Sequence, residues 1–188
     1  MPATQALTAD RRLLERSEVV ARTVISQQPF YASSACTANQ RQLLETMVGA
    51  ALWYLPQSDD LWTGCLSTGA LQALAAAPQP KAVKLTKDHH YPRKVAAAEL
   101  FAIQWQQLPD PAQEVCNRYL QVYGRFNYVL PEENKRLVKY QKTHAFVSPE
   151  QAYQQAGIDL HQLSRPLLKA ILAGERELAE LALNGAID

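Results

Sequence analysis

The sequence predicts a mainly α-helical protein of the α+β class, in which two short strands and a helix form a small embedded ββα unit. Apolar residues recur at helical spacing along most of the 188 residues. Two stretches, 81–87 and 126–130, instead alternate polar and apolar residues as strands do. The second stretch runs into Pro131, Glu132 and Glu133, which suit the first turn of a helix. These observations place one strand–strand–helix unit inside a helical chain.

The first 77 residues are predicted to form a helical layer. Three helices are expected there because apolar residues recur at intervals of three and four. The first covers residues 8–28. Capping residues and prolines set the ends of all three. In order, these residues are Thr8 and Asp10 before the first helix, Pro29 after it, Thr37 and Gln40 as a capping box, Pro56 at the end of the second helix, and Ser58, Asp59 and Asp60 before the third.

Beyond Pro80 the pattern changes, because Lys81, Lys84 and Lys87 alternate with apolar residues and give the first strand one basic face. The remaining elements are a helix over 95–108, a helix from Pro111 to Gly124, the second strand, a helix over 131–141, a helix opened by a capping box at Ser148 to Gln151 and ended by Gly157, and short helices over 164–173 and 175–184. The predicted regions are a helical N-terminal region (1–80), the ββα core with inserted helices (81–145) and a helical C-terminal region (146–188).

Composition limits the classes of function. With 47% hydrophobic residues the chain can bury a core. Its net charge of only +1 means that nucleic-acid binding would have to depend on a local basic patch. Residues 81–94 supply one, since they carry five basic residues and one acidic residue, a net +4. No apolar run reaches the roughly eighteen residues that predict a membrane span, and no secretion signal is recognised.

The three cysteines indicate the compartment. Cys36, Cys65 and Cys116 lie far apart, which fits a reducing environment. They form no CxxC pair and no Cys/His cluster with zinc-finger spacing, so no structural zinc is expected. The chain is therefore expected to be cytoplasmic.

Residues 88–92, Asp-His-His-Tyr-Pro, carry the candidate chemistry. Hydrolysis of a phosphodiester needs a base for the attacking water and a cation for the charge that develops on the phosphate and the leaving oxygen. A histidine suits the base because its pKa lies near neutrality. A carboxylate and one further donor are enough to hold Mg²⁺, because phosphate and water complete its coordination. The residue types fit a metal-dependent nuclease.

Two motifs resemble those of the HNH endonuclease family, whose fold is the ββα-metal motif. Asp88-His89-His90-Tyr91-Pro92 resembles the (Asp/Glu)-His-x-x-Pro opening of that family. The stretch from Tyr128 to Leu137, YVLPEENKRL, resembles its closing strand and helix. The resemblance covers about residues 83–142 and departs from the family in a long gap between the two motifs. The chain also lacks the cysteine knuckles that many members of the family carry.

The resemblance implies a divalent-metal-dependent DNA endonuclease that hydrolyses phosphodiester bonds, with Mg²⁺ as the expected metal and Mn²⁺ as the alternative. The size of the chain favours a site-specific, restriction-like enzyme. A homodimer is expected if the recognised DNA site is palindromic.

The resemblance also implies roles for individual residues. Asp88 would be one metal ligand and Asn134, on the helix, the second. His89 would be the general base, and Asn127 would brace the loop and orient that base. A different register would make His89 a ligand and His90 the base. Arg93 could contact phosphate. The basic residues close to the motifs in sequence are further candidates for contacts to DNA phosphates, or they form a merely solvated face: Lys87, Lys94, Lys135, Arg136 and Lys139.

Two other interpretations are left open. The chain could be a non-catalytic helical DNA-binding or adaptor protein that retains a nuclease-like motif, or a helical interaction protein in which the motif has no function. The hypotheses differ in geometry, because the enzyme requires Asp88 and Asn134 to reach one cation with His89 beside it.

Overall fold

The computed structural model describes residues 10–187, so the candidate cap Thr8 lies outside the described range. In chain order the elements are α1 (Arg11–Ala32), α2 (Ala38–Trp53), β1 (Trp62–Ser67), α3 (Thr68–Ala76), β2 (Thr86–Asp88), α4 (Arg93–Ala102), α5 (Pro111–Arg118), β3 (Phe126–Val129), α6 (Pro131–Leu137), α7 (Pro149–Gln155), β4 (Leu160–Gln162), α8 (Arg165–Ala173) and α9 (Arg176–Leu183). The predicted α+β class is confirmed. Among the described helices, none combines the length and the apolar character needed to cross a membrane.

The chain separates into two compact units. The first contains the described residues up to Leu61 together with Tyr91–Arg125, and therefore α1, α2, α4 and α5. The second contains Trp62–His90 and the chain from Phe126 onwards, and therefore all four strands. The helices inserted between β2 and β3 belong to the first unit. Every residue expected to hold the metal or act as a base lies in the second unit.

Predicted caps open several helices. Asp10 accepts a hydrogen bond from the backbone N–H of Leu13 at 2.6 Å, and Thr37 and Gln40 form the reciprocal capping box of α2. Asp110 caps α5, which continues as a π-helical turn over Tyr119–Tyr123 and ends at Gly124 as predicted. Local side-chain chemistry decides these helix ends.

The prediction that Pro29 ends the first helix is wrong, because α1 continues through it to Ala32. Contacts on both sides of the proline hold the helix. The Gln28 amide donates to the carbonyl oxygens of Phe101 and Ile103 at 2.8 and 2.7 Å. The Tyr31 ring stacks on the Phe101 ring with centroids 4.2 Å apart. These contacts stabilise a turn that proline alone would disfavour.

The second unit is built on a four-stranded sheet in the order β2-β3-β1-β4. β1 runs parallel to β3, and the other pairs are antiparallel. The prediction of a third helix after Ser58 is wrong for residues 62–67, which form β1. Only 68–76 are helical. Leu61, Cys65 and Leu66 fit helical spacing and an apolar strand equally well, and pairing with β3 and β4 decides between them.

Other boundaries also differ from the prediction. β2 covers only Thr86–Asp88, so Asp88 lies in the strand and not in a loop. The helix predicted over 95–108 ends at Ala102, where α4 ends. The helix predicted over 131–141 ends at Leu137, whose carbonyl then accepts hydrogen bonds from two backbone N–H groups of a turn that includes Gln141. The three-residue edge strand β4 was not predicted, because so short a stretch has no clear alternation.

A buried carboxylate fixes the start of α6. Glu133 is 6% exposed and accepts hydrogen bonds from the Ser67 hydroxyl and, at 2.8 Å, from the backbone N–H of Leu130. The Ser67 oxygen in turn accepts from the Ala70 N–H at the start of α3. Gly69 leaves room for the Glu133 carboxylate beside Ser67, since a Cβ at position 69 would lie 2.5 Å from Oε1 of Glu133. The hydrogen bonds tie α6 to the junction of β1 and α3.

Glu133→Ala should lower the free energy of unfolding by about 3 kcal/mol, because it leaves a buried hydroxyl and a backbone N–H without their acceptor. Glu132→Ala, on the exposed neighbour in the same helix, should change it by less than about 0.5 kcal/mol. Urea denaturation followed by circular dichroism measures both. Equal effects of the two substitutions would contradict the role assigned to Glu133.

Candidate functional site

The pairing of β2 with β3 brings two of the predicted site residues together. The antiparallel register sets Asp88 opposite Asn127 and Thr86 opposite Val129. Residues directly opposite one another share a face of the sheet. On this face Val129 packs in a buried apolar cluster that includes Tyr153 of α7. The Asp88 and Asn127 side chains therefore point into the interior of the second unit, where each is 4% exposed.

The Asp88 carboxylate is enclosed by neutral hydrogen-bond donors. The Tyr153 hydroxyl donates to Oδ2, and the Gln141 amide donates to Oδ1 at 3.1 Å and to Oδ2 at 3.2 Å. Burial raises the pKa of Asp88, while the hydrogen bonds from Tyr153 and Gln141 act in the opposite direction. Burial dominates because the charged form of a carboxyl loses its hydration there.

A chain of hydrogen bonds leads to this carboxylate. Burial, followed by the charge of Asp88, raises the pKa of Tyr153 far above its usual value, so the phenol keeps its proton and donates. A side-chain hydrogen bond from Asn127 to Tyr153 lowers that pKa, as expected when the amide donates to the phenol oxygen. The Thr63 hydroxyl donates to Oδ1 of Asn127. The hydrogen bonds thus run in sequence from Thr63 to Asn127, from Asn127 to Tyr153 and from Tyr153 to Asp88.

His89 faces the other side of the sheet. Its ring centroid lies 6.0 Å from that of Phe126, and Nζ of Lys87 lies 4.7 Å over the same ring. Phe126 precedes Asn127 in β3 and points to the opposite face. Burial first, and the charge of Lys87 second, lower the pKa of His89. The imidazole is therefore neutral at pH 7, the state in which a histidine can accept a proton.

The other predicted site residues occupy different positions. Asn134 lies on α6, which contacts β2, and within the described chain its half-buried side chain makes no hydrogen bond. His90 lies near the start of α7. The pKa of Glu150 there is lowered mainly by hydrogen bonds from its own backbone and from Ser148, with a smaller Coulombic effect from His90. The structure thus brings Asp88 and Asn127 together and places His89 on the opposite face.

The predicted phosphate-binding residues divide between the two units. Of the predicted phosphate-binding residues, Lys87, Lys135, Arg136 and Lys139 lie exposed in the second unit. Arg93 and Lys94 open α4 in the first unit, where the Arg93 guanidinium lies 5.5 Å over the Trp53 ring. Arg93 is exposed in addition to making this cation–π contact.

The oxygen donors at this site suit a hard divalent cation. Among residues 10–187, no group of three or more His, Cys, Asp or Glu side chains converges to hold a metal. The candidate donors are the carboxylate of Asp88 and the amide of Asn134, which lies on α6, a helix that contacts β2. Oδ1 of Asp88 accepts one hydrogen bond and retains a lone pair for a cation. Such a set fits Mg²⁺ or Mn²⁺ when water and phosphate complete the coordination, because these ions prefer oxygen.

Three residues of the network were not predicted from the sequence. Tyr153 lies in an amphipathic helix, where a tyrosine is typical of an apolar core. Gln141 lies in a polar stretch typical of a surface, and Thr63 lies in the strand mistaken for a helix. No local pattern marks any of them.

We compared the chain with protein-family models, curated proteins and solved structures, and none matches. The resemblance to HNH enzymes is therefore a prediction from the motifs alone, and the site is interpreted from its own geometry.

The raised pKa of Asp88 predicts how stability depends on pH. The folded state keeps this proton to a higher pH than the unfolded state, in which an aspartate titrates near pH 4. Stability due to Asp88 therefore falls as pH rises from about 4 towards the folded pKa. Asp88→Asn does not titrate. We expect the free energy of unfolding of the wild type minus that of Asp88→Asn to fall with rising pH.

Urea denaturation at a series of pH values, in EDTA to exclude metal, measures this difference. A difference that rises with pH would mean that the hydrogen bonds from Tyr153 and Gln141 outweigh burial.

Proposed function

We propose that this chain is a divalent-metal-dependent DNA endonuclease of the HNH type, which hydrolyses phosphodiester bonds. The observation that carries the proposal is the pairing of Asp88 with Asn127 across β2 and β3, followed directly by α6. Two antiparallel strands and a helix that contacts the first strand are the arrangement that the HNH resemblance predicts. Asn134, on that helix, supplies the second oxygen donor.

In this proposal each residue has a defined task. His89 is the proposed general base, because its lowered pKa keeps the imidazole neutral and able to take a proton from the attacking water. Its position beside Phe126, on the face of the sheet opposite Asp88, does not support this role and favours the second candidate below. Asp88 and Asn134 hold the cation, with His90 as the alternative base or ligand. A bound Mg²⁺ or Mn²⁺ would stabilise the charge that develops on the phosphate and the leaving oxygen.

The proposed substrate is DNA. The exposed residues Lys135, Arg136 and Lys139 follow one another on α6 and the turn after it, and phosphate oxygens are the natural partners of such a basic surface. Within residues 10–187 the structure contains no disulfide among Cys36, Cys65 and Cys116. The location that we propose for the protein is the cytoplasm. A restriction-like homodimer belongs to the same proposal.

A second candidate is a non-catalytic DNA-binding protein that retains the motif. Two observations favour it. Both oxygens of Asp88 already accept hydrogen bonds within the protein. His89 packs near Phe126, on the face of the sheet opposite Asp88. In this candidate the buried network has a purely structural role, and the basic residues alone bind DNA.

Incubation of supercoiled plasmid DNA with the protein and Mg²⁺ or Mn²⁺ separates the two candidates. The wild type should nick or linearise the plasmid, and EDTA should stop the reaction. His89→Ala should lower the rate by about 10²- to 10⁴-fold, the usual effect of losing a general base. Asp88→Ala should abolish the metal-dependent activity.

His144→Ala is the matched control, because His144 is exposed and has no assigned role in the reaction. Its cleavage rate should stay within about threefold of the wild type, as for most surface substitutions. Cleavage by His89→Ala at the wild-type rate would remove His89 as the base. DNA binding without cleavage, across different sequences, metals and salt concentrations, would favour the non-catalytic candidate.

The basic residues of α6 should govern the salt dependence of DNA binding. A double substitution, Lys135→Gln with Arg136→Gln, should make the slope of log K against log salt concentration shallower by about two, since each lost phosphate contact removes about one. Fluorescence anisotropy with labelled duplex in EDTA measures binding without cleavage. Arg165→Gln with Lys169→Gln, on exposed residues of α8, should leave the slope unchanged. Equal slopes for both pairs would exclude α6 as the DNA-binding surface.

A further inference from the structure

The two donors to Asp88 are anchored differently. Tyr153 is 3% exposed, and its ring packs with Val129, Leu137 and Ile158. Gln141 is half-buried in the turn after α6, and its amide nitrogen spans both carboxylate oxygens at 3.1 and 3.2 Å. These distances lie at the long end of the range for N–H···O hydrogen bonds, and one donor is divided between two acceptors. Gln141 is therefore the more weakly held of the two.

We propose that a divalent cation binds Asp88 by displacing the amide of Gln141, while the hydroxyl of Tyr153 stays in place and aims the carboxylate. This inference rests on the proposed function, since it concerns the same metal site. It makes Tyr153 a positioning residue and Gln141 a competitor of the metal. The Tyr153 side chain therefore raises the affinity for the metal, and the Gln141 side chain lowers it.

The displacement of Gln141 costs little. A divalent cation attracts a carboxylate far more strongly than a neutral amide does. The released amide belongs to a half-buried side chain, so water can satisfy its donors. Because Gln141 lies outside regular helix and strand, its movement breaks no hydrogen-bond ladder.

Removal of the Tyr153 hydroxyl costs more. Its oxygen interacts with Asp88 and Asn127, which lie opposite each other on adjacent strands. With the hydroxyl gone, a buried carboxylate and a buried amide both lose a partner. Carboxylate ligands of metals are commonly held in this way by a second hydrogen-bonded residue, which sets the direction of the carboxylate.

Mn²⁺ binding tests the proposal without any need for catalysis. Titration of the protein with Mn²⁺ at pH 7, with free Mn²⁺ measured by electron paramagnetic resonance, yields a dissociation constant for each variant. Gln141→Leu should bind about tenfold more tightly than the wild type, because the competing donor is gone. Tyr153→Phe should bind about tenfold more weakly, as for other residues that support a ligand. Asp88→Asn should bind no Mn²⁺ at this site.

Matched controls test whether these effects are local. Tyr140→Phe removes a hydroxyl from a half-buried tyrosine of the same unit, and Gln154→Leu replaces an exposed glutamine of α7. Neither should change the Mn²⁺ dissociation constant. Circular dichroism shows whether each variant is folded. Gln141→Leu changes a half-buried turn residue, so it tests the displacement even if Tyr153→Phe is unstable.

The outcomes separate this inference from the proposed function. If wild type binds Mn²⁺ through Asp88 but Gln141→Leu binds equally or more weakly, the displacement is wrong and the metal site stands. If Tyr153→Phe binds as tightly as the wild type, Tyr153 does not position the ligand. If wild type and Gln141→Leu both bind no Mn²⁺ and cleave no DNA, the proposed function fails, and this inference fails with it.

Discussion

A carboxylate that is 4% exposed needs hydrogen-bond donors around it, and this requirement at Asp88 organises the second unit. The donors come from elements far apart in the chain. The turn after α6 supplies Gln141, and α7 supplies Tyr153, whose hydroxyl also interacts with Asn127 of β3. Tyr153 also packs in the apolar cluster of this unit, so the polar network and the core share one side chain. The geometry around Asp88 therefore depends on the same strand pairing and helix packing that stabilise the fold.

Features decided by neighbouring residues could be predicted from the sequence. The caps at Asp10, Thr37 and Asp110 act within three residues, and the strand that runs into α6 carries its own alternation and a proline at the helix start. Features decided by distant residues were predicted wrongly. β1 has spacing that suits a helix, yet its partners β3 and β4 lie much later in the chain. Pro29 stops an isolated helix, but contacts with the Phe101 region hold this one together.

The same distinction applies to the candidate site. Asp88 and Asn127 could be proposed from the sequence because Asp88 opens the first motif and Asn127 directly precedes the second. Tyr153 and Gln141 were not, because the hydrogen bonds that define their roles join positions more than fifty residues apart in sequence. The observed position of His89 depends on where β2 ends. Because Asp88 is the last residue of β2, its side chain lies on one face of the sheet, and the next residue, His89, lies beside Phe126 on the other face.

Among the described residues of this unit, Asp88 and Glu133 are buried carboxylates, and they differ in the groups that donate hydrogen bonds to them. Glu133 accepts from a backbone N–H at the start of α6 and from the serine that caps α3, so its burial satisfies groups that these helix ends would otherwise leave without partners. The donors to Asp88 are the side chains of Tyr153 and Gln141, and no helix end depends on them. An apolar residue at position 88, with apolar partners, would avoid the cost of burying a charge. No helix cap depends on a carboxylate at position 88, and this difference from Glu133 is the reason we propose Asp88, and not Glu133, as the ligand of a cation.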